Sequence, residues 1–217
     1  MKLHLDRPWL DMDLGAPHRV LSWALSAPGF VTASRILWRE VRNADLPKDL
    51  DVTGWFFDQL RQRDQSDAVA MLTSRDLRAY ETAQASVDGI TATCVATVGL
   101  SNAERVGSRV DRTGKDWGTI NLAVQTSHPM TDAALLETLS IATQARTAAV
   151  MDTGYPLPAG VATGTGTDCI AVASPPGTQP YAGLHTPVGE AVGRAVYDAT
   201  RNGAQLWMDK VRRKDQI

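Results

Sequence analysis

The sequence predicts a single α+β domain in which helices pack on a mixed, partly antiparallel sheet. Strand-like segments are followed in some places by a tight turn and in others by an amphipathic helix, which differs from a strict βαβ repeat. The 217 residues contain no fixed-period repeat and no long Pro-, Gly- or Ser-rich linker, so we expect one domain over 1–217. The 43% hydrophobic and 21% charged residues are typical of an ordinary globular domain.

The first half of the chain mixes strand-like and amphipathic segments. Residues 34–41 alternate apolar and charged positions and predict a strand, with a short helix as the alternative. Apolar residues at helical spacing predict a helix over 53–63. The apolar run 68–73 predicts a buried strand, and Ser74 is expected to cap the short segment 74–80 that follows.

A hairpin is predicted next. Residues 80–88 and 90–98 both have strand character, and Asp88-Gly89 lies between them. An Asp-Gly pair readily adopts the positive φ angles of a two-residue hairpin turn. This hairpin is the observation that argues for antiparallel pairing in the sheet.

The second half is rich in Gly, Thr and Ala. It predicts strands over 118–125 and 169–174, separated by a long helix over 131–151 that Thr131 caps. A last helix is expected from about Pro187 to Val211, because proline is well tolerated in a first helical turn.

Charge and composition exclude several classes of protein. The chain has 22 Lys and Arg against 24 Asp and Glu, a net charge of −2, which argues against a general nucleic-acid-binding field. It lacks an apolar run of the roughly 18 residues that a membrane span needs, and its first residues carry too many charges for a signal peptide. Two cysteines, Cys94 and Cys169, cannot form a disulfide framework or a four-thiolate zinc site. We therefore expect a cytoplasmic protein with reduced thiols.

The densest group of chemically distinctive residues is the run Ala162-Thr-Gly-Thr-Gly-Thr-Asp168. Gly164 and Gly166 allow a ligand to approach the backbone, and the hydroxyls of Thr163, Thr165 and Thr167 add donors and acceptors. Asp168 is placed to act as a base or to orient a water molecule. The structural alternative is a tight turn before a strand. The run is neither a Walker motif nor a dinucleotide fingerprint.

A second group lies before the last helix. His185 is expected in the preceding loop and Glu190 in the second helical turn, where they are candidates for acid and base catalysis. The alternative is that Glu190 stabilises the helix N-terminus and His185 is a surface residue. The chain contains neither HExxH nor CxxC, and we predict no dedicated metal site.

Two further segments offer polar groups at strand ends. Ser101 and Asn102 follow a predicted strand, and Asn121 begins another, so their side chains are candidates for substrate binding or oxyanion stabilisation. Ordinary turn chemistry is the alternative. Trp117, next to the second segment, is a candidate for lining a pocket or for the core.

These same segments resemble the adenosylcobinamide amidohydrolase family. The resemblance is carried by GLSNAERVG (99–107), GTINLAV (118–124), GVATGTGTDCIAV (160–172) and YAGLHTPVGEAVG (181–193), with a weaker match in AVAMLTSRDLRAY (68–80). The motifs follow the order of the family, whereas the first 60 residues match only loosely. The resemblance implies a corrinoid-salvage enzyme that hydrolyses the amide between aminopropanol and the corrin side chain. Adenosylpseudocobalamin is a further substrate of some bacterial members.

The resemblance implies a small-molecule corrinoid substrate whose cobalt is not an enzyme cofactor. We expect water to attack directly, with Asp168 or His185 as base and Glu190 assisting. Thr165 or Thr167 as nucleophile is the open alternative, although neither is N-terminal and the sequence places no visible base beside them. Gln144 departs from the family, where an acidic residue is expected, and it cannot transfer a proton at neutral pH.

Two other functions remain open at the level of the sequence. A corrinoid-binding or carrier protein without catalysis is favoured by Gln144, and an unrelated nucleotide- or phosphate-binding enzyme is suggested by the loop of alternating Thr and Gly. The set Asp168, His185 and Glu190 favours the enzyme, because a carrier needs no acid and base. The sequence leaves the oligomeric state open, including a homo-oligomer.

Overall fold

The computed structural model describes residues 1–47, 49–111 and 118–214. These residues form one eight-stranded sheet, two short two-stranded sheets, three α-helices and two short 3-10 helices, Asn43–Asp45 and Leu77–Ala79. The strands are β1 (Lys2–Asp6), β2 (Trp9–Ser22), β3 (Gly29–Glu40), β4 (Val69–Thr73), β5 (Glu81–Val87), β6 (Ile90–Val98), β7 (Ala103–Glu104), β8 (Ile120–Thr126), β9 (Pro156–Leu157), β10 (Gly160–Val161), β11 (Gly164–Thr165) and β12 (Cys169–Ser174). The helices are α1 (Val52–Gln62), α2 (Asp132–Asp152) and α3 (Pro187–Lys214).

The main sheet is mixed, which confirms the predicted fold class. Its strand order is β4-β3-β2-β12-β8-β6-β5, and β1 pairs with the first part of β2. The pairs β3–β4 and β8–β12 are parallel, and the other pairs of this sheet are antiparallel. The short pairs β7–β11 and β9–β10 are antiparallel and lie outside this sheet.

The central strands β8 and β12 are covered on one face by α2 and α3 and on the other face by side chains of β2, β3 and β4. On β8 and β12, Leu122 and Ile170 pack with α2 and α3, whereas the alternate residues Ala123 and Ala171 pack with β2, β3 and β4. Successive side chains of a strand point to opposite faces, so both faces of these central strands are buried. The outer face of β3 and β4 is covered in turn by α1, through Phe56 and Leu60. This double burial explains why β12 is a continuous apolar run.

Most predicted elements are confirmed. Strands cover most of 34–41, 68–73, 80–88, 90–98, 118–125 and 169–174, and helices occupy the three predicted places. The Asp88-Gly89 turn has φ angles of 47° and 80°. Thr131 caps α2 by accepting the N–H of Ala134 at 3.2 Å.

Two expectations need correction. Ser74 is not the cap of the 3-10 helix Leu77–Ala79, because Asp76 occupies that position and accepts the N–H of Arg78 at 2.9 Å. The short hairpin β1–β2 and the long hairpin β2–β3 were not predicted. Among the described residues, the structure contains no helix that is long and apolar enough to cross a membrane.

Candidate active site

Three chain segments meet at one edge of the main sheet, and the loop of residues 163–168 is one of them. β8 and β12 are parallel neighbours, with Asn121 opposite Cys169, so both strands begin at this edge. β6 runs antiparallel to β8 and ends there, with Val98 opposite Ile120. The segments that precede β8 and β12 and follow β6 therefore come together, although they are far apart in the sequence.

Asp168 is the buried centre of the loop, with 7% of its side chain exposed. Its Oδ1 accepts hydrogen bonds from the Thr165 hydroxyl and from the Ile120 N–H at 3.1 Å. Its Oδ2 accepts from the Thr165 N–H at 3.0 Å and from the Arg146 guanidinium. Burial raises the pKa of Asp168, whereas the Arg146 charge and the donors of Thr165 and Ile120 lower it. Asp168 is thus a carboxylate held in a fixed orientation.

Arg146 is the residue of this cluster that the sequence analysis did not select as a candidate. It extends from α2, is 12% exposed, and its Nη1 also donates to the Thr163 carbonyl at 3.2 Å. Gly164 leaves the space that this guanidinium fills: a Cβ there would overlap Nη1 and lie 2.6 Å from Asp168 Oδ2. The glycine predicted to admit a ligand therefore admits an arginine of the same chain.

The two predicted asparagines connect the converging segments. Asn121 is 1% exposed, and its Nδ2 donates to the Leu72 carbonyl at 2.7 Å, which ties the start of β8 to β4. Asn102 Nδ2 donates to the Thr167 hydroxyl at 3.3 Å, and that hydroxyl donates to the Gly118 carbonyl at 2.9 Å. These amides fix the loops that surround Asp168.

The turn that contains Ser101 lies directly against the start of β8. A Cβ on Gly118 would lie 2.8 Å from the Ser101 nitrogen and 2.9 Å from Asn102 Oδ1, so a larger residue does not fit. Ser101 itself is exposed. The structure therefore brings together Asp168 and all of the predicted binding residues, namely Ser101, Asn102, Asn121, Thr163, Gly164, Thr165, Gly166 and Thr167.

Two cavities flank the 163–168 loop. The first, the arginine cavity, has a volume of about 620 Å³ and is lined by Arg105, Arg109 and Arg146 together with the 163–165 part of the loop. The second, the tryptophan cavity, has a volume of about 570 Å³ and is lined by Trp23 and other apolar side chains together with the 166–168 part. A substrate that contacts the loop thus has room on both sides.

His185 and Glu190 do not join this cluster. The segment that carries them follows the opposite end of β12, and its Ala182 N–H donates to Glu137 Oε2 at 2.6 Å near the start of α2. Glu137 and Arg146 are separated by roughly 13–14 Å of helix. Both His185 and Glu190 are exposed, and Glu190 pairs with Arg194 at 2.8 Å. Their predicted catalytic role remains a prediction, and the expected cooperation with Asp168 has no geometric support.

Gln144 also lies away from the cluster. It is exposed on α2, and its Nε2 donates to the Ser140 hydroxyl at 3.2 Å. Its departure from the family therefore removes no group that contacts Asp168. In residues 1–47, 49–111 and 118–214, no group of three His, Cys, Asp or Glu side chains is placed to hold a metal ion. Trp117, the candidate for lining a pocket, lies outside the described residues.

Comparison with known proteins identifies the family of this chain. The family model for CbiZ, adenosylcobinamide amidohydrolase, matches residues 1–212. The chain belongs to the adenosylcobinamide amidohydrolase family. The match extends to the first 60 residues, where the family motifs are weak.

One curated relative matches about half of this chain. An adenosylcobinamide amidohydrolase of Halobacterium salinarum (strain ATCC 700922 / JCM 11081 / NRC-1) is 36% identical over 115 residues, 49% of this chain and 47% of that protein. The matched region thus spans about half the length of that curated relative.

Two solved structures are similar to this chain at 10% identity, covering 90% of this chain and 76% of each structure. They are the PH0078 protein from Pyrococcus horikoshii OT3 (TM-score 0.45) and an L-aminopeptidase D-Ala-esterase/amidase from Ochrobactrum anthropi (TM-score 0.44).

Proposed function

We propose that the chain hydrolyses the aminopropanol amide of adenosylcobinamide and releases adenosylcobyric acid and aminopropanol. Membership of the family over residues 1–212 gives the reaction class. The observation that carries the proposal is the position of the buried Asp168 in a loop with a cavity on each side. A loop in this position suits an amide between a large macrocycle and an amino-alcohol leaving group, because each side has a cavity of its own while the amide lies at the carboxylate.

The cluster contains the groups that amide hydrolysis requires. The reaction needs a base for the attacking group, an acid for the leaving amine and a donor for the developing oxyanion. Asp168 serves the two proton transfers, and burial favours proton uptake by raising its pKa. The Arg146 guanidinium lines the first cavity and offers donors beyond those that bind Asp168 and Thr163.

The tryptophan cavity suits the corrin ring. Trp23 and Leu25 line this cavity and are 47% and 41% exposed, which leaves apolar surface for a ligand to contact. The Trp23 indole N–H donates to the Asp168 carbonyl at 2.8 Å, which couples this cavity to the catalytic loop. A broad, partly apolar macrocycle that lies on Trp23 would present a side-chain amide to Asp168. Cobalt enters the site as part of this substrate.

The arginine cavity suits the aminopropanol portion of the substrate, including the aminopropanol portion of adenosylpseudocobalamin. In that substrate the aminopropanol carries a phosphodiester, and Arg105 and Arg109 line the cavity beside Arg146. Arginine guanidinium groups bind phosphate oxygens through paired hydrogen bonds. We therefore propose adenosylpseudocobalamin as a second substrate.

The experiment is hydrolysis by the purified chain after treatment with a chelator. The chain is incubated with adenosylcobinamide, and the products are separated by chromatography and identified by mass. We expect adenosylcobyric acid and aminopropanol in equal amounts. If the corrinoid stays intact but elutes with the protein, the chain is a corrinoid-binding protein and the hydrolase proposal is wrong.

If neither product nor bound corrinoid is found, the assay is repeated with divalent metal ions added back and with adenosylpseudocobalamin. Product that forms only with metal contradicts our expectation of a metal-independent reaction. Absence of product under every condition contradicts the proposed function.

A second measurement tests whether the arginine cavity binds the phosphodiester of adenosylpseudocobalamin. Arg109→Gln is expected to lower kcat/KM for adenosylpseudocobalamin by about 10-fold and to leave adenosylcobinamide much less affected, because one charge-assisted phosphate contact is lost. Arg201→Gln is the matched control, since Arg201 lies over the Tyr197 ring on α3, outside both cavities. Equal losses for both substrates would contradict the assignment of the arginine cavity.

A further inference from the structure

The hydroxyls of Thr163, Thr165 and Thr167 have different partners, although the residues alternate regularly in the loop. The Thr163 hydroxyl accepts the Val106 N–H at 2.8 Å. The Thr167 hydroxyl donates to the Gly118 carbonyl at 2.9 Å. Both of these hydroxyls hold the loop against neighbouring backbone, and neither one donates to a carboxylate.

The Thr165 hydroxyl alone among the three donates to an acidic side chain, Asp168 Oδ1. Thr165 also lines the arginine cavity, and it is less buried than Thr163. A hydroxyl that is open to a cavity and bonded to an oriented base has the arrangement of an activated nucleophile. The sequence could not show this contact, because the turn folds Asp168 back onto a residue three positions before it.

We propose that Thr165 is the nucleophile of the amide hydrolysis and that Asp168 accepts its proton. This inference rests on the proposed function and replaces direct attack by water with a covalent intermediate. The buried position of Asp168 suits a group that must bind and release a proton during each turnover.

The reaction balances in two stages. Thr165 Oγ1 forms a bond to the amide carbonyl carbon while its proton passes to Asp168. The C–N bond then breaks, and Asp168 returns the proton to the nitrogen, so that aminopropanol leaves as a neutral amine and an ester remains on Thr165. Water attacks this ester, gives a proton to Asp168 and displaces Thr165 Oγ1, which recovers its proton from Asp168. The products are the carboxylic acid and the free enzyme.

Arg146 is placed to stabilise the negative charge of both tetrahedral intermediates. Its Nη1 is engaged by Asp168 and by the Thr163 carbonyl. A guanidinium has five N–H donors, so donors remain for an oxyanion formed beside Thr165. The same contacts hold the positive charge of Arg146 beside the loop before substrate binds, so the guanidinium does not have to move during the reaction.

The test is a search for the ester on the full-length chain. The wild-type protein is mixed with adenosylcobinamide, quenched in acid during turnover, and measured by intact-protein and fragment mass spectrometry. A parallel reaction contains hydroxylamine, which diverts an ester intermediate into a hydroxamate. We expect a corrinoid acyl adduct on Thr165, formation of the hydroxamate at the expense of the acid, and aminopropanol release that hydroxylamine does not slow.

Variants add a second readout. Thr165→Val is expected to lose the adduct and about 10³-fold or more of kcat, as the loss of a nucleophile does in covalent hydrolases. Thr165→Ser keeps the hydroxyl and is expected to form the adduct. Thr93→Val is the matched control, because the Thr93 hydroxyl accepts a surface hydrogen bond from Gln84 at 3.2 Å, away from both cavities.

Each outcome decides the inference. Wild-type turnover with neither adduct nor hydroxamate overturns it, and so does an adduct on Thr163 or Thr167, whether or not Thr165→Val folds. Turnover by Thr165→Val within 10-fold of wild type also overturns it. Absence of turnover in the wild type overturns the proposed function, and the inference fails with it. The two failures are therefore distinguishable.

Discussion

Gly164→Ala tests the packing of Arg146 against the 163–168 loop. The added Cβ would overlap Arg146 Nη1 and lie 2.6 Å from Asp168 Oδ2 and 3.1 Å from Arg146 Cζ. Because Arg146 is 12% exposed and bonded to Asp168 and Thr163, the guanidinium cannot move aside without losing these partners. The change therefore disrupts a buried ion pair as well as crowding the loop.

The expected loss of stability follows from two magnitudes. Overpacking a tight site costs about 1–3 kcal/mol, and removing one partner of a buried ion pair costs about 3–5 kcal/mol. Since Gly164→Ala displaces Arg146 but does not remove it, we expect a loss of about 2–3 kcal/mol in the free energy of unfolding. For a chain of this size, that loss lowers Tm by about 4–12 °C.

The assay is denaturant unfolding followed by the fluorescence of the six tryptophans. Gly166→Ala is the matched control for stability, because its Cβ would meet Glu104 Oε1 at an ordinary 3.5 Å and neither glycine has a positive φ. The control is expected within about 0.5 kcal/mol of wild type. Both variants change the entropy of the unfolded chain in the same way, so a difference between them reports on packing in the folded state. Equal stability of the two variants would refute the packing argument.

Three further predictions concern activity. Arg146→Met is expected to lower kcat/KM by about 10²-fold or more through loss of oxyanion stabilisation, and Arg146→Lys is not expected to restore it, because lysine lacks the planar fork. Gln144→Ala is the control on the same helix, and a loss there equal to that of Arg146→Met would contradict the assignment. Because burial raises the pKa of Asp168 above 3.8 and the base must be ionised, kcat/KM is expected to fall as pH falls through a value above 3.8. In Arg146→Met the fall in kcat/KM is expected at still higher pH, because the positive charge that lowers the pKa of Asp168 is gone. A fall at or below pH 3.8 in the wild type would refute the argument. His185→Ala and Glu190→Gln are each expected to keep kcat within about 10-fold, and a larger loss would instead support the catalytic role that the sequence predicted for them.

The elements that the sequence predicted are those whose signals are local. The Asp88-Gly89 hairpin, the Thr131 cap and the apolar run of β12 each depend on residues within a few positions of one another. The β2–β3 hairpin has no such signal, because its register shifts between Asp13 and His18 and β2 carries several charged residues.

The part of the site that the sequence predicted is also the part whose residues are close together in the chain. The residues of the 163–168 loop are contiguous, so their density of hydroxyls and glycines was visible in the sequence. Arg146 lies 22 residues before Asp168, and only the packing of α2 on the sheet brings the two together. His185 was a candidate because it lies in a loop before a helix, but the sequence does not show that this loop and Asp168 lie at opposite ends of β12.

The central claim is that the Asp168 carboxylate carries out the proton transfers of corrinoid amide hydrolysis. Its most direct test is the turnover of adenosylcobinamide by Asp168→Asn, with corrinoid binding and unfolding measured on the same preparation. Our account predicts that kcat falls by about 10³-fold or more while the folded protein still binds the corrinoid. A folded Asp168→Asn protein that turns over at the wild-type rate would contradict it.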